Sequence, residues 1–291
     1  DIRFLHQAGS QGNPLIEDFF TEEYALNHLI HNYAKPYIAF MDGIVMGGGM
    51  GISQGAALRV VTERTKMAMP ETAIGLFPDV GGGYFLSRCP GRVGEWLALT
   101  GDTIGAGDAI AYQLADGCMP SDRQVAVWDA LATQSFADGA AIKAYVASQF
   151  VAAQASGSSA RADIDQYFAL PTVGEIVRGL EAADSDWARA TAATLRKRSP
   201  LMLHVVLEQI RRARTMGLAD DLRMERDMVR HCFFLRPGQS ETVEGIRALA
   251  VDKDHAPRWN PSRIEDVTPD MVTPFFASPW PVHAHPLAHL A

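Results

Sequence analysis

Two carboxylates stand eight positions apart in the run MPETAIGLFPDVGGGYF, residues 69–85. Glu71 and Asp79 each follow a proline, and Ile74, Leu76, Phe77 and Val80 surround them in sequence. A charge among apolar side chains is costly unless it has a partner or a task. In a purely structural role, Glu71 caps a helix and Asp79 holds backbone N–H groups in a turn. In a chemical role the two form a pair facing a substrate. One is then base or nucleophile, and the other orients the substrate or donates a proton. Composition alone leaves the two roles even.

A second candidate is MGGGMG, residues 46–51. Its glycines follow a strand pattern and precede a helical one. Backbone N–H groups there can approach a ligand closely, and can hold a phosphate or stabilise an oxyanion. The run fits neither GxGxxG nor GxxxxGK[ST], which disfavours a nucleotide loop. Gly51 to Gly55 matches G-x-S-x-G, the elbow of serine hydrolases. That elbow needs a strand leading straight into the serine. Here Met50 and the glycines intervene, so Ser53 is expected one turn inside a helix. Asp79 or Asp102, followed by His204 or His231, meets the required triad order only loosely. His28 and His31 lack a third ligand nearby, and His283, His285 and His289 lie in the tail. Metal sites need more convergent ligands, so no metal is expected.

The elements that must position these residues follow from periodicity. Residues 16–34 carry apolar side chains at helical spacing and stop before Pro36. YIAFMDGIVM reads as strand and turn, ISQGAALRVVTERT as helix then strand, and KMAMPE as a further short strand. Short strand, glycine turn and helix alternate, as in an α/β fold. Residues 121–170 are rich in Ala, Ser and Gln, with a flexible AQASGSSARAD. Residues 173–250 read as helices: Ser199-Pro200 starts one, Gly217 suits its C-terminal cap, and Ser240 starts another. The Pro-rich tail from Pro257 is expected on the surface.

The 291 residues are 47% hydrophobic and 21% charged with net charge −8, a composition that suits a soluble globular protein and disfavours a general nucleic-acid binder. RKRSP (residues 196–200) with Arg211, Arg212 and Arg214 is the one basic patch, read as a solvated helix face. The three cysteines are scattered and form no zinc or disulfide pattern, which points to a reducing cytoplasm. No apolar run is long enough for a membrane span, and no signal peptide is visible.

Taken together, KPYIAFMDGIVMGGGMGIS, MAMPETAIGLFPDVGGGYFLSR and LALTGDTIGAGDAIAYQLAD resemble the crotonase (enoyl-CoA hydratase/isomerase) superfamily. PETAIGLFPDVGGGYFL and VEGIRALAVDKDHAPRWNP are similar to its 3-hydroxyisobutyryl-CoA hydrolase branch. The resemblance covers nearly the whole chain, most weakly residues 121–170. It implies an α/β fold with a crotonase-like ββα spiral core over residues 1–120, a helical and flexible connecting region over 121–172, and a C-terminal helical region and tail over 173–291. It makes Asp1-Ile2-Arg3 the end of a segment like GGDIR. The first strands of the core and the first oxyanion donor are then expected upstream of this chain, which should not be stable without them.

Carried over residue by residue, the resemblance makes the Gly48 N–H an oxyanion donor and Glu71 a catalytic carboxylate. Hydratases carry their other catalytic Glu where this chain has Gly51, so the second acid is expected at Asp79 and the reaction is expected to be hydrolysis. The implied substrate is a short 3-hydroxyacyl-CoA thioester, first of all 3-hydroxyisobutyryl-CoA of valine catabolism. CoA is part of that substrate, and no separate cofactor is implied. Glu71 attacks the carbonyl or activates a water. Asp79 holds the substrate hydroxyl or assists proton transfer. Gly47, Gly81, Gly82 and Phe77 are expected around the acyl group. Arg3 is expected at the CoA phosphates, and Lys253 there or against a neighbouring subunit. A homo-oligomer, a trimer or a multiple of one, is implied. The alternatives are an enoyl-CoA hydratase or isomerase, a serine hydrolase through Ser53, and a CoA-binding scaffold without turnover.

Overall fold

The computed structural model describes residues 2–153 and 161–291, so most of AQASGSSARAD lies outside the described residues. Two helices open the chain, α1 (Ile2–Gln11) and α2 (Leu15–His31). Buried Ile16, Phe20, Tyr24, Asn27 and Ile30 recur every three or four residues along α2, which is why one face of it enters the core. Two strand–strand–helix turns follow. The first holds β1 (Ile38–Met41), β2 (Ile44–Met46) and α3 (Gly48–Gln54). The second holds β3 (Leu58–Val61), β4 (Lys66–Ala68) and, after the MPETAIGLFPDVG loop, α4 (Gly82–Ser87). Next come α5 (Val93–Thr100), α6 (Ala106–Ala111) and β5 (Gly117–Cys118).

Strands of successive turns pair in parallel: β1 on β3 and β3 on β5 in one sheet, β2 on β4 in another. The chain therefore winds as a spiral, and each turn lies over the last. This stacking brings the end of β2 beside the end of β4, and with them the two candidate motifs.

Helices α7 (Gln124–Thr133), α8 (Gly139–Ala147) and α9 (Arg161–Tyr167) lie in the connecting region read as helical and flexible. The Asp138 side chain accepts from the Ala141 N–H at 2.8 Å and starts α8. After them come α10 (Val173–Ala182), α11 (Asp186–Leu195), α12 (Pro200–Ala213), α13 (Leu218–Phe234), α14 (Glu241–Ile246) and α15 (Pro269–Val272). Ser199 and Ser240 cap α12 and α14 as the sequence indicates.

Three expectations need correction. Gly217 does not end α12, which stops at Ala213; Gly217 is extended, with φ −72° and ψ 165°, and begins α13. The tail is not wholly superficial, since Ile264, Phe275 and Leu287 are buried in the main core. The basic patch is only partly a solvated face: Arg196, Lys197 and Arg212 are exposed, but most of its arginines are paired. Arg196 pairs with Glu181 and Glu265, Arg214 with Glu95, and Arg198 and Arg211 donate to backbone carbonyls.

Candidate active site

The glycine turn between β2 and α3 requires glycine at one point above all. Gly47 has φ 51° and ψ −121°, a backbone conformation that L side chains rarely adopt. It aims the start of α3, including the Gly48 N–H, away from the strand. The first N–H groups of a helix have no partner inside it. Two carboxylates face this turn. A Cβ on Gly47 would stand 3.2 Å from Glu71 Oε1, and one on Gly48 would stand 3.4 Å from Glu23 Oε1.

Glu71 begins a short 3-10 turn, Glu71–Ile74, directly after Pro70. The C-terminal helices clamp that turn. The Thr72 hydroxyl donates to the Leu99 carbonyl of α5, and the Ser199 N–H donates to the Thr72 carbonyl. The Thr242 hydroxyl of α14 donates to the Gly75 carbonyl at 2.6 Å. Glu71 itself is buried, and its Oε2 has no hydrogen-bond partner. Burial, followed by the nearby Asp79 charge, holds its carboxyl well above the usual range.

Asp79 is reached through a strained backbone. Val80, just after it, has φ 57°, an unusual angle for a β-branched residue. Asp79 Oδ2 accepts from the Tyr24 hydroxyl of α2 at 3.0 Å. Burial and the Glu23 charge push the Asp79 carboxyl up to about 7, against the smaller lowering effect of the Tyr24 bond. Burial raises Glu23 as well. Three acids thus converge from α2, the 3-10 turn and the PDVGGG loop. Like charges this close resist full ionisation, so near neutral pH the cluster keeps a proton among its carboxylates. One group can give a proton while another takes one or attacks.

Sequence reasoning singled out Glu71, Asp79 and Gly48, and the structure sets Glu23 and Tyr24, which that reasoning passed over, beside them. Both lie on α2, about 50 residues upstream of the acids they serve, and TEEYAL reads as an ordinary amphipathic surface. It also missed what holds the loop. On α13, Glu225 accepts from the Gly81 N–H at 2.8 Å and the Gly83 N–H at 2.9 Å, and Asp221 accepts from the Tyr84 N–H at 2.9 Å. Gln209 of α12 donates to the Pro78 carbonyl at 2.7 Å. The close approach that the glycines allow is therefore made by these protein groups.

Of the expected acyl contacts, Gly81 lines a cavity of about 400 Å³ together with Asn27, Gly51, Val80 and Tyr84. That lining holds the residues next to Asp79 rather than Asp79 or Glu71 themselves. Gly82 is buried, and its N–H donates to the Asp79 carbonyl at 2.8 Å, so it shapes the loop. Phe77 is fully buried in the core. Arg3 and Lys253, distant in sequence, line one open hollow with His6.

Gly51 has no room for a side chain. A Cβ there would lie 2.6 Å from Val80 Cβ and 3.1 Å from Asn27 Nδ2. Ser53 is buried inside α3 and donates to the Gly49 carbonyl at 2.7 Å. It has none of the exposure that an elbow nucleophile needs. Among the described residues no group of three or more His, Cys, Asp or Glu side chains is arranged to hold a metal ion, and no helix is long and apolar enough to cross a membrane.

The enoyl-CoA hydratase/isomerase family model matches residues 1–276. A relative from Xenopus tropicalis named 3-hydroxyisobutyryl-CoA hydrolase, mitochondrial, is 37% identical over 96% of this chain and 73% of its own length. A relative from Arabidopsis thaliana, named probable 3-hydroxyisobutyryl-CoA hydrolase 3, is 39% identical over 89% of this chain and 70% of its own. Among solved structures, a carnitinyl-CoA dehydratase from Mycobacterium thermoresistibile superposes with a TM-score of 0.88 at 38% identity, over 97% of this chain and 79% of that one. An enoyl-CoA hydratase from Rhodobacter sphaeroides gives 0.85 at 36%, over 96% and 79%. The two sets of names describe different reactions on one fold.

Proposed function

We propose that this chain, which belongs to the enoyl-CoA hydratase/isomerase family, hydrolyses a short 3-hydroxyacyl-CoA thioester, with 3-hydroxyisobutyryl-CoA of valine catabolism as first choice. The observation that carries the reading is Gly51. Two-carboxylate hydration needs an acid on α3, and a Cβ at that position would already press on Val80 at 2.6 Å. The acids available lie instead at Glu71, Asp79 and Glu23. The hydrolase names of the Xenopus and Arabidopsis relatives agree with this choice.

In the proposed reaction the thioester oxygen rests on the Gly48 N–H. Such a donor is commonly worth about 3–4 kcal/mol to the transition state. Glu71, beside the same turn, supplies the attack. Acting directly, its carboxylate adds to the carbonyl carbon, the C–S bond breaks, and an acyl–Glu71 anhydride is left for water to open. Acting through water, it takes the proton while the hydroxide adds. In both routes the acids share a proton, and in the state with Glu71 ionised Asp79 holds it and delivers it to the departing thiolate. The products are the 3-hydroxy acid and free CoA. Single-turnover hydrolysis in ¹⁸O-water separates direct hydration from an anhydride opened at the Glu71 carbonyl, because only that opening leaves a Glu71 oxygen in the acid.

Arg3 and Lys253 are our assignment for the CoA phosphates, and assembly into trimers or their multiples is part of the same reading. All three cysteines are free and buried, in keeping with a reducing compartment, and the cytoplasm is our placement. The mitochondrial names belong to the relatives. Release of thiol from 3-hydroxyisobutyryl-CoA tests the reaction. Loss of 2-enoyl absorbance without thiol release would instead support the hydratase alternative, in keeping with the names of the two solved structures.

A further inference from the structure

Asn27 is 5% exposed, and neither its Oδ1 nor its Nδ2 has a hydrogen-bond partner. A buried primary amide left wholly unpaired is costly, and it marks a place where a polar partner is expected. The surroundings say which kind. Asn27 stands one helical turn after Glu23 on α2 and three residues after Tyr24, the donor to Asp79. Its Nδ2 lies 3.1 Å from where Gly51 would carry a Cβ. It lines the cavity with Gly51, Val80 and Gly81. Three of the residues lining that cavity thus lie within four positions of a residue of the candidate centre: Asn27 of Glu23, Gly51 of Gly48, Val80 of Asp79.

We propose that Asn27 binds the 3-hydroxyl of the acyl group and so selects hydroxylated substrates. This rests on the hydrolase reading above. Three residues along α3, from Gly48 to Gly51, rise about 4.5 Å. A 3-hydroxyl stands three bonds beyond the thioester carbonyl carbon, a comparable span. An acyl group with its carbonyl at Gly48 and its chain directed along α3 therefore brings the hydroxyl to the Asn27 amide. A hydroxyl both donates and accepts, so it can answer either atom of the amide. The absence of a side chain at Gly51 leaves Asn27 in contact with that space. With the hydroxyl held by Asn27, Asp79 is left to serve the leaving group.

The test compares 3-hydroxyisobutyryl-CoA with isobutyryl-CoA, which lacks only the hydroxyl, in the parent protein and in Asn27→Leu. The leucine is close in size and makes no hydrogen bond. The ratio of kcat/KM values, hydroxylated over plain, should fall roughly 10- to 100-fold in the variant. The melting temperature of the unliganded variant should hold or rise, because an unpaired buried amide has been removed. An unchanged ratio, or an equal loss on both substrates, overturns the assignment. A parent protein that releases no thiol from either compound overturns the hydrolase reading instead. The ratio of calorimetric affinities for the same two thioesters, parent against variant, then decides the role of Asn27 separately.

Discussion

The PDVGGGY loop has buried acids on both of its sides, and their circumstances differ. Toward α13, both oxygens of Glu225 accept backbone N–H groups, from Gly81 and Gly83. Toward the glycine turn, Glu71 is equally buried, yet its Oε2 accepts nothing. Burial raises both carboxyls well above the usual range. A raised carboxyl by itself therefore does not mark a reacting group. What separates Glu71 from Glu225 is partnering: both oxygens of Glu225 are taken by the loop, whereas Glu71 Oε2 accepts nothing. The acids of α13 shape the loop, and those facing the glycine turn are the ones proposed to react.

The comparison can be broken at several points. The largest effect is expected for Gly51→Glu, the substitution that would restore a hydratase's second acid. It forces a side chain into contact with Val80, and overpacking a dense core costs about 1–3 kcal/mol or more, with a buried charge added. The variant should lose most of its soluble folded protein and gain no hydratase activity. A stable variant that hydrates a 2-enoyl-CoA would remove the main ground for choosing hydrolysis.

Next is Glu225→Gln, which turns an NH2 group toward a glycine N–H of the loop. It should lower stability by about 1–3 kcal/mol in chemical denaturation. Glu71→Gln should leave stability unchanged or raise it, since it removes a buried acid that has no partner for Oε2. Equal stability losses for the two variants would show that the two sides of the loop do not differ.

Asp79→Asn gives a smaller, pH-dependent effect. The folded-state value of about 7 lies above the ordinary 3.8, so the folded protein binds this proton more tightly than the unfolded chain. The contribution of Asp79 is fully present below about 4 and is lost as pH rises through 7. The variant should match its parent near pH 4 and exceed it at pH 8, by a few kcal/mol at most. A parent that is favoured at pH 8 would contradict the raised value. The smallest effect belongs to Ser53→Ala, where stability should shift by less than about 1 kcal/mol and thiol release should persist. Loss of activity there would revive the serine elbow.

Much of this was legible in the sequence, because glycines and prolines punctuate it so clearly. The turns at Gly47 and before Glu71 and the helix caps at Ser199 and Ser240 come from local chemistry, which leaves the roles of Glu71 and Asp79 even. What was not legible depends on the stacking of the spiral. Glu23, Tyr24 and Asn27 read as positions on an amphipathic helix until α2 is laid across the PDVGGG loop. Asp221 and Glu225, four residues apart in DDLRMERD, belong to a segment read only as helix, and their role shows once α13 is placed under the loop glycines. Phe77 and Gly82 were expected at the acyl group, and both are buried in the structure. Gly217 was misplaced because a glycine that ends one helix and a glycine that begins the next look alike before the backbone angles are known.

The central claim is that Glu71, unpartnered beside the oxyanion turn, carries thioester hydrolysis. It is tested most directly by measuring thiol release from 3-hydroxyisobutyryl-CoA by the parent protein and by folded Glu71→Gln. The parent should release thiol, and the variant should be slower by about 1,000-fold or more. Thiol release by Glu71→Gln within tenfold of the parent would contradict the account.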